Sequence, residues 1–289
     1  MVTRTIDNDF RWESCPFCAS PDLLPIGDIR VPSHISFSTH EIAPARNSEL
    51  WQCADCGSWL KQNALRPQQA VELYASGDSG NRWFDEKFEQ MKCEEVIKAL
   101  AARARPGMKA LDIGCSTGQL LDFLSQRGCL TAGVEYSSAC APIIKAKSHR
   151  HFASLDRVEG TFDLITAFDL IEHLYDLRSF FSRCAELLSA GGVLFLLTGD
   201  IESISARLCR ARWWYLRYPE HAVFPSTKFL ASGTKWFSLR SKLRTYASRG
   251  YREPVYVVAR RAGAAILRGR YDGLPSLGPD HALLELVRD

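Results

Sequence analysis

The sequence predicts an α/β protein: a doubly wound, largely parallel sheet with helices on both faces, preceded by a small cysteine-bearing module. Three observations lead there. From Met108 onward, short apolar runs alternate with segments of helical periodicity, the pattern of repeated βα units. The stretch Ala110-Leu-Asp-Ile-Gly-Cys-Ser-Thr-Gly-Gln-Leu-Leu121 joins an apolar strand end to a small-residue turn and then to a helical pattern. Two Cys-x-x-Cys pairs stand near the N-terminus.

Size and composition set the bounds. A chain of 289 residues has room for one large domain and a small one, and 46% hydrophobic with 24% charged residues is ordinary for a globular protein. No apolar run reaches about 18 residues, so no membrane span is expected. The first residues, Met1-Val-Thr-Arg-Thr-Ile-Asp-Asn-Asp, have no apolar signal core, and a cytoplasmic location is expected. Charge is uneven: residues 200–289 carry 16 Lys and Arg against 8 Asp and Glu, a net +8 set against −5 over the preceding chain. Such a basic segment suits an anionic partner (a sugar nucleotide, nucleic acid or anionic lipid) or is simply a solvated face.

The N-terminal module, residues 1–62, comes first. Cys15-Pro-Phe-Cys18 and Cys53-Ala-Asp-Cys56-Gly57 have the spacing of a four-thiolate zinc site, because a two-residue gap lets both sulfurs of one turn reach one ion. Gly57 relieves the second turn. The 34 intervening residues, with Pro32, Ser33, Ser36, Ser38 and Pro44, read as an inserted loop. His34 and His40 lie there, but four cysteines already complete the shell. A closed four-sulfur site has no open position, so its zinc is structural. Cys93, Cys115, Cys129, Cys140, Cys184 and Cys209 are scattered singly and read as core residues.

A helical linker, residues 63–106, follows, with patterns over Pro67–Tyr74 and Phe84–Ala104 that stop before Pro106-Gly107. The remaining residues, 107–289, form the sheet domain. Strands are expected at 109–113, 130–135, 162–168 and 192–198, another near His151–Leu155, and helices near 118–127, 137–147 and 177–189. The tail is expected to supply the last strands, Val255–Ala259 and Ala282–Val287, with a basic helix between. The turn at Gly114–Gly118 brings a nucleotide-like ligand against bare backbone at a helix N-terminus. Glu135, 17 residues past Gly118, closes a strand with a carboxylate suited to two ribose hydroxyls. A dinucleotide site fits less well, because Ser116 occupies the second glycine position of G-x-G-x-x-G and the third glycine is absent.

Several motifs in sequence carry a resemblance. Leu111-Asp-Ile-Gly-Cys-Ser-Thr-Gly118, Glu135, Phe162-Asp-Leu-Ile165, Asp169-Leu-Ile-Glu-His-Leu174 and Leu187-Leu-Ser-Ala-Gly-Gly-Val193 together resemble class I S-adenosylmethionine-dependent methyltransferases. The resemblance implies their Rossmann-like sheet and S-adenosylmethionine as methyl donor. It implies that Gly114, Ser116 and Gly118 approach the methionine part, that Asp112 holds the turn or the donor's amino group, and that Glu135 takes the ribose. Ser154, after the third strand, and Asp169 complete the donor set. Ser116 departs from the family, in which glycine is usual there.

The segment Arg212-Trp-Trp-Tyr-Leu-Arg-Tyr218-Pro-Glu-His221 resembles zinc-bearing methyltransferases that act on sugars and related metabolites. It implies a substrate insert near 200–230, where Tyr218, Glu220 and His221 line the acceptor site and His221 is the general base. His173 and Tyr74 are counterparts of further residues of such sites. The sugar C-methyltransferases carry another C-terminal domain, which this sequence does not show after Asp289. O-methylation of a sugar, glycan or related hydroxylated small molecule is therefore expected, with C-methylation of a keto-sugar nucleotide as the alternative. Trp213, Trp214, Tyr215, Arg212 and Arg217 suit a sugar-like group beside a phosphate, or a dimer surface. Three other readings stand beside these. Asp169, Glu172 and His173 form a divalent-metal site, as in quinone-biosynthesis O-methyltransferases. The chain is an RNA methyltransferase, against which stands the absence of an Asn-Pro-Pro-aromatic motif. Or it is a non-catalytic, donor-binding scaffold.

Overall fold

The structure, a computed structural model, describes residues 3–30, 35–37, 40–76, 87–232, 234–252, 254–267 and 276–288. The N-terminal part contributes strands β1 (Thr3–Ile6), β2 (Leu23–Ile29), β3 (Ile35–Phe37), β4 (His40–Pro44), β5 (Ser48–Cys53) and β6 (Trp59–Gln62). The expected loop between the cysteine pairs is thus largely strand. β2 pairs antiparallel with β5, with a register shift between Pro25 and Gly27, and Ile29 and Leu50 bury their side chains in one cluster. Pro32, Ser33, His34 and Ser38 lie outside the described residues.

Helices α1 (Pro67–Ser76), α2 (Phe88–Met91) and α3 (Glu94–Arg103) lead into the main sheet. The single helix expected over 84–104 is broken: Lys92 and Cys93 are extended, with ψ of 154° and 150°. The break turns the buried Lys92 side chain inward, where its ammonium donates to Asp169 and to the Ala247 carbonyl. Residues 84–86 are outside the described residues.

The sheet then builds as β7 (Lys109–Ile113), α4 (Gln119–Ser125), β8 (Leu130–Val134), α5 (Cys140–Ala146), β9 (Arg150–Phe152), β10 (Phe162–Phe168), α6 (Leu177–Leu187) and β11 (Leu188–Gly199). Beyond β11 come α7 (Ile204–Cys209), β12 (Val223–Phe224), α8 (Thr227–Ser232), β13 (Phe237–Thr245), α9 (Val255–Leu267) and β14 (His281–Arg288). The seven-stranded order is β13-β14-β11-β10-β7-β8-β9, with β14 antiparallel to both neighbours. β7, β10 and β11 are almost wholly buried, as expected of central parallel strands covered on both faces.

Val255–Ala259 is not a strand; it opens α9. Pro254 ends the preceding chain and its carbonyl accepts from the Val257 and Val258 amides, starting a helix. The missing strand is β13, whose Phe237, Leu239 and Leu243 alternate with Ser238, Arg240, Lys242 and Arg244. The order reverses between β7 and β10, so a crevice opens at their carboxyl ends, where such sheets bind ligands.

The N-terminal part is joined to this sheet. β12 pairs antiparallel with β6, completing a four-stranded sheet β12-β6-β5-β2. The Ser226 amide donates to the Ser58 hydroxyl, and the Ser226 hydroxyl donates to the Cys56 carbonyl. Phe17 meets Phe229 edge to face at 5.0 Å.

Candidate functional site

At the end of β7 the chain reverses through three left-handed residues, Gly114 (φ 79°), Ser116 (φ 47°) and Gly118 (φ 82°). Glycine suits the first: its φ is positive, and a Cβ would come within 3.2 Å of Leu170. Ser116 departs from glycine but keeps the conformation. Its amide donates to Glu135 Oε2 at 2.9 Å, while Oε1 accepts from the Ser137 amide at 2.8 Å. Burial raises the Glu135 carboxyl above its ordinary value, opposed by those amides. Each carboxylate oxygen retains lone-pair capacity for a hydroxyl donor. The Ser116 hydroxyl oxygen is buried with no hydrogen-bond partner among the described residues.

Asp112 lies beneath the turn. Thr166 donates to its Oδ1 at 2.7 Å, and burial pushes the carboxyl up to about 7. Across the crevice Asp169, also left-handed (φ 48°), ends β10 and pairs with Lys92 at 2.8 Å. Ser154 sits where the chain leaves β9, beside β8 in the sheet. His151 of β9 bonds the Glu135 carbonyl at 3.1 Å.

A second cluster lies one turn beyond Asp169. His173, in the short turn Ile171–His173, bonds the Tyr74 hydroxyl through Nδ1 at 2.8 Å. Its ring meets that of His221 at 4.7 Å. His221 is 6% exposed, and its Nδ1 lies 2.9 Å from the Tyr215 carbonyl. A carbonyl only accepts, so Nδ1 carries the proton and Nε2 presents its lone pair. Burial holds His221 well below the ordinary histidine value, and the neighbouring His173 and Lys61 push the same way. His173 is lowered by burial, opposed by Glu220 and Asp169.

Glu172 is fully buried and accepts from the Thr198 hydroxyl at 2.9 Å and from the Tyr215 hydroxyl. Burial, then Asp169, pushes its carboxyl up to about 7. Its carbonyl receives the Ala222 amide at 2.7 Å, fixing the turn against the segment that carries His221. The Tyr218 ring stands 4.9 Å from His221, and the Glu220 charge is felt by His173, Tyr74 and Lys61. Tyr218, Glu220, His221, His173 and Tyr74 are therefore brought together from three stretches of chain.

Two expectations are corrected here. Among the described residues Asp169 does not join Glu172 and His173 in a cluster of donor atoms; one of its oxygens pairs with Lys92. The donor atoms that do gather within 4.8 Å are those of Glu172, His173 and His221. Trp213 and Tyr215 do not form an acceptor-stacking face or a dimer surface, because both are core residues at 0% and 3% exposure. The two indole N–H groups of Trp213 and Trp214 donate instead to the buried carboxylate of Asp280, which His281 also bonds.

Cys15, Cys18, Cys53 and Cys56 converge with all four sulfurs within 4.8 Å. The pairs Cys15–Cys56 and Cys18–Cys53 are 3.6 and 3.5 Å apart. Zinc–sulfur bonds of about 2.3 Å in a tetrahedron require sulfurs about 3.8 Å apart, so the four fit one zinc ion. Gly57 (φ 74°) closes the second turn through its amide to the Cys53 carbonyl.

A family model described as a methyltransferase domain matches residues 85–233, about half of the chain. The chain belongs to the methyltransferase-domain family. Among curated proteins it is similar to a ubiquinone biosynthesis O-methyltransferase of Xanthomonas campestris pv. campestris (strain B100), 29% identical over 144 residues, 44% of this chain and 60% of that protein. A protein of the same description from Pseudomonas aeruginosa (strain LESB58) is 28% identical over 136 residues, 41% of this chain and 58% of that protein. The match thus spans about three-fifths of these relatives' length. Among solved structures, magnesium protoporphyrin IX methyltransferase from Synechocystis PCC 6803, with bound SAH, shares the fold: TM-score 0.52 at 16% identity, covering 78% of this chain and all of that one.

The stretch matched by the methyltransferase-domain family contains the Gly114–Gly118 turn, Glu135 and the His173–His221 cluster; the cysteine module and β13–β14 lie outside it. Two buried lysines absent from the sequence-based expectations bond residues of the site, Lys92 to Asp169 and Lys61 to the Tyr218 carbonyl. Lys92 left a faint signal, a charge interrupting an apolar helical face. Lys61, a charge inside the apolar run Trp59-Leu-Lys-Gln62, left another.

Proposed function

We propose that this protein transfers the methyl group of S-adenosylmethionine to a hydroxyl oxygen of a small ring-bearing acceptor. The observation that carries this reading is the orientation of His221, a buried neutral imidazole whose Nδ1 is committed to the Tyr215 carbonyl and whose Nε2 is left to accept a proton. The Gly114–Gly118 backbone, the buried Ser116 hydroxyl and the Glu135 carboxylate would hold the donor. When bound, S-adenosylmethionine supplies an electrophilic methyl on a sulfonium. The protein's own tasks are alignment and proton removal. His221 Nε2 takes the acceptor's proton as its oxygen bonds the methyl carbon. Tyr74 orients His173, which with Tyr218 and Glu220 borders the acceptor. Cys15, Cys18, Cys53 and Cys56 would hold one structural zinc.

The acceptor is a sugar-like or related hydroxylated metabolite, a reading supported by the half-buried Tyr218 and Tyr74, amphipathic rings beside His221 and His173. A phenolic ring is the second reading, favoured by the relatives named for ubiquinone biosynthesis. Radiolabelled donor offered with sugar nucleotides, free sugars, catechols and RNA separates the classes by which product carries label. In the productive pairing, His221→Ala should lower kcat by about 10²–10⁴-fold while donor binding by calorimetry stays unchanged. Near-native turnover in His221→Ala would remove the base role.

A further inference from the structure

Lys61 is fully buried on β6, in the cysteine-bearing part of the chain, yet its side chain reaches the segment that carries His221. Its ammonium donates to the Tyr218 carbonyl at 2.5 Å, and its amide donates to the Ala222 carbonyl at 2.8 Å. These two bonds bracket Tyr218–Ala222, the stretch that carries Glu220 and His221. The neighbouring residue Leu60 pairs with Val223, continuing the same ladder. A buried ammonium costs far more than the leucine or methionine that would fill the same space, unless it has partners and a task.

Resting on the reading of His221 as proton acceptor, we propose that Lys61 is a positioning residue of the acceptor site: it fixes the Tyr218–His221 segment and keeps the His221 imidazole in its proton-accepting form. The groups facing His221 define what Lys61 adds. His173 and Glu172 face it from the turn after β10, His281 from the start of β14, and Tyr215 and Tyr218 from its own segment. Lys61 is the cation presented from β6; after burial and the neighbouring His173, its charge adds to what opposes protonation of His221. Burial pulls the Lys61 ammonium down to about 7, opposed by the Glu220 carboxylate, so Lys61 is charged over the lower range in which His221 titrates; Glu220 likewise favours the charged form of His173 against burial. The Lys61–Glu220 pair therefore biases the two imidazoles in opposite directions. The N-terminal module is then part of the active site rather than an appendage.

Histidine ring-proton titration by NMR tests this without requiring turnover. In Lys61→Met the His221 midpoint should rise by about 1 pH unit. Lys61→Gln, which keeps a donor for the Tyr218 carbonyl but no charge, should show the same rise. Lys61→Arg should restore the native midpoint. With a productive acceptor, kcat in Lys61→Met should fall about tenfold with KM unchanged, and the acid limb of its pH profile should move to higher pH. An unchanged midpoint in both uncharged variants, at native zinc content, would overturn the proposal. If Lys61→Met does not fold, Lys61→Gln alone decides. If no acceptor is turned over by the native protein, the acceptor reading fails, and the titration still decides the role of Lys61.

Discussion

The Ser116 amide and the Glu135 carboxylate are joined by a 2.9 Å hydrogen bond, so the turn after β7 and the acid after β8 behave as one unit. Glu135 thereby has two duties: shaping the turn and presenting acceptor capacity to a ligand. Glu135→Ala should weaken S-adenosylmethionine binding about 100-fold, the worth of roughly two hydrogen bonds to a charged group. Glu135→Gln, which can still accept from Ser116, should lose about tenfold. Calorimetry with the donor alone checks both; equal affinities in all three proteins would exclude Glu135 from the donor site.

Asp112 should make stability depend on pH. Its carboxyl titrates at about 7 in the fold against an ordinary 3.8, so between those values the folded chain keeps a proton the unfolded chain has released. Stability therefore falls as pH rises through this window and levels above it. Asp112→Asn removes the effect: the variant should match the native protein near pH 4 and exceed it by a few kcal/mol at pH 8. Urea unfolding at several pH values measures the difference, and parallel curves for the two proteins would refute it.

One zinc ion per chain is expected by metal analysis of the purified protein. Removing it with a chelator, or replacing Cys56 with Ser, should lower the melting temperature. Because the Cys56 carbonyl and Ser58 hold Ser226, the loss should also speed amide exchange over 222–230. A metal-free protein with native protection in that segment would count against the site.

The parts legible from the sequence were those set by local chemistry. The Gly114–Gly118 turn needs positive φ and close approach, and the cysteine pairs need fixed short spacing; both leave a mark within a few residues. What escaped depended on partners far along the chain. Val255–Ala259 has β-branched residues suited to a strand, yet Pro254 and the alanine-rich stretch beyond it favour α9, while the edge place in the sheet goes to β13. Trp213 looked like a ligand-stacking aromatic because nothing nearby announces Asp280, 67 residues later, as the partner of its indole. Buried lysines such as Lys92 and Lys61 are intelligible only once their carbonyl and carboxylate partners are in place.

The ladder between β6 and β12 also constrains how the chain can be made. Ser58 and Ser226, which flank it, are 168 residues apart, so the four cysteines emerge from the ribosome long before the strand that seals their sheet. In that interval Trp59 and Leu60 lie along an unprotected strand edge, a template for wrong pairing. Early metal capture would tether that edge while synthesis continues, giving the ion a part in the chain's assembly as well as in the finished protein.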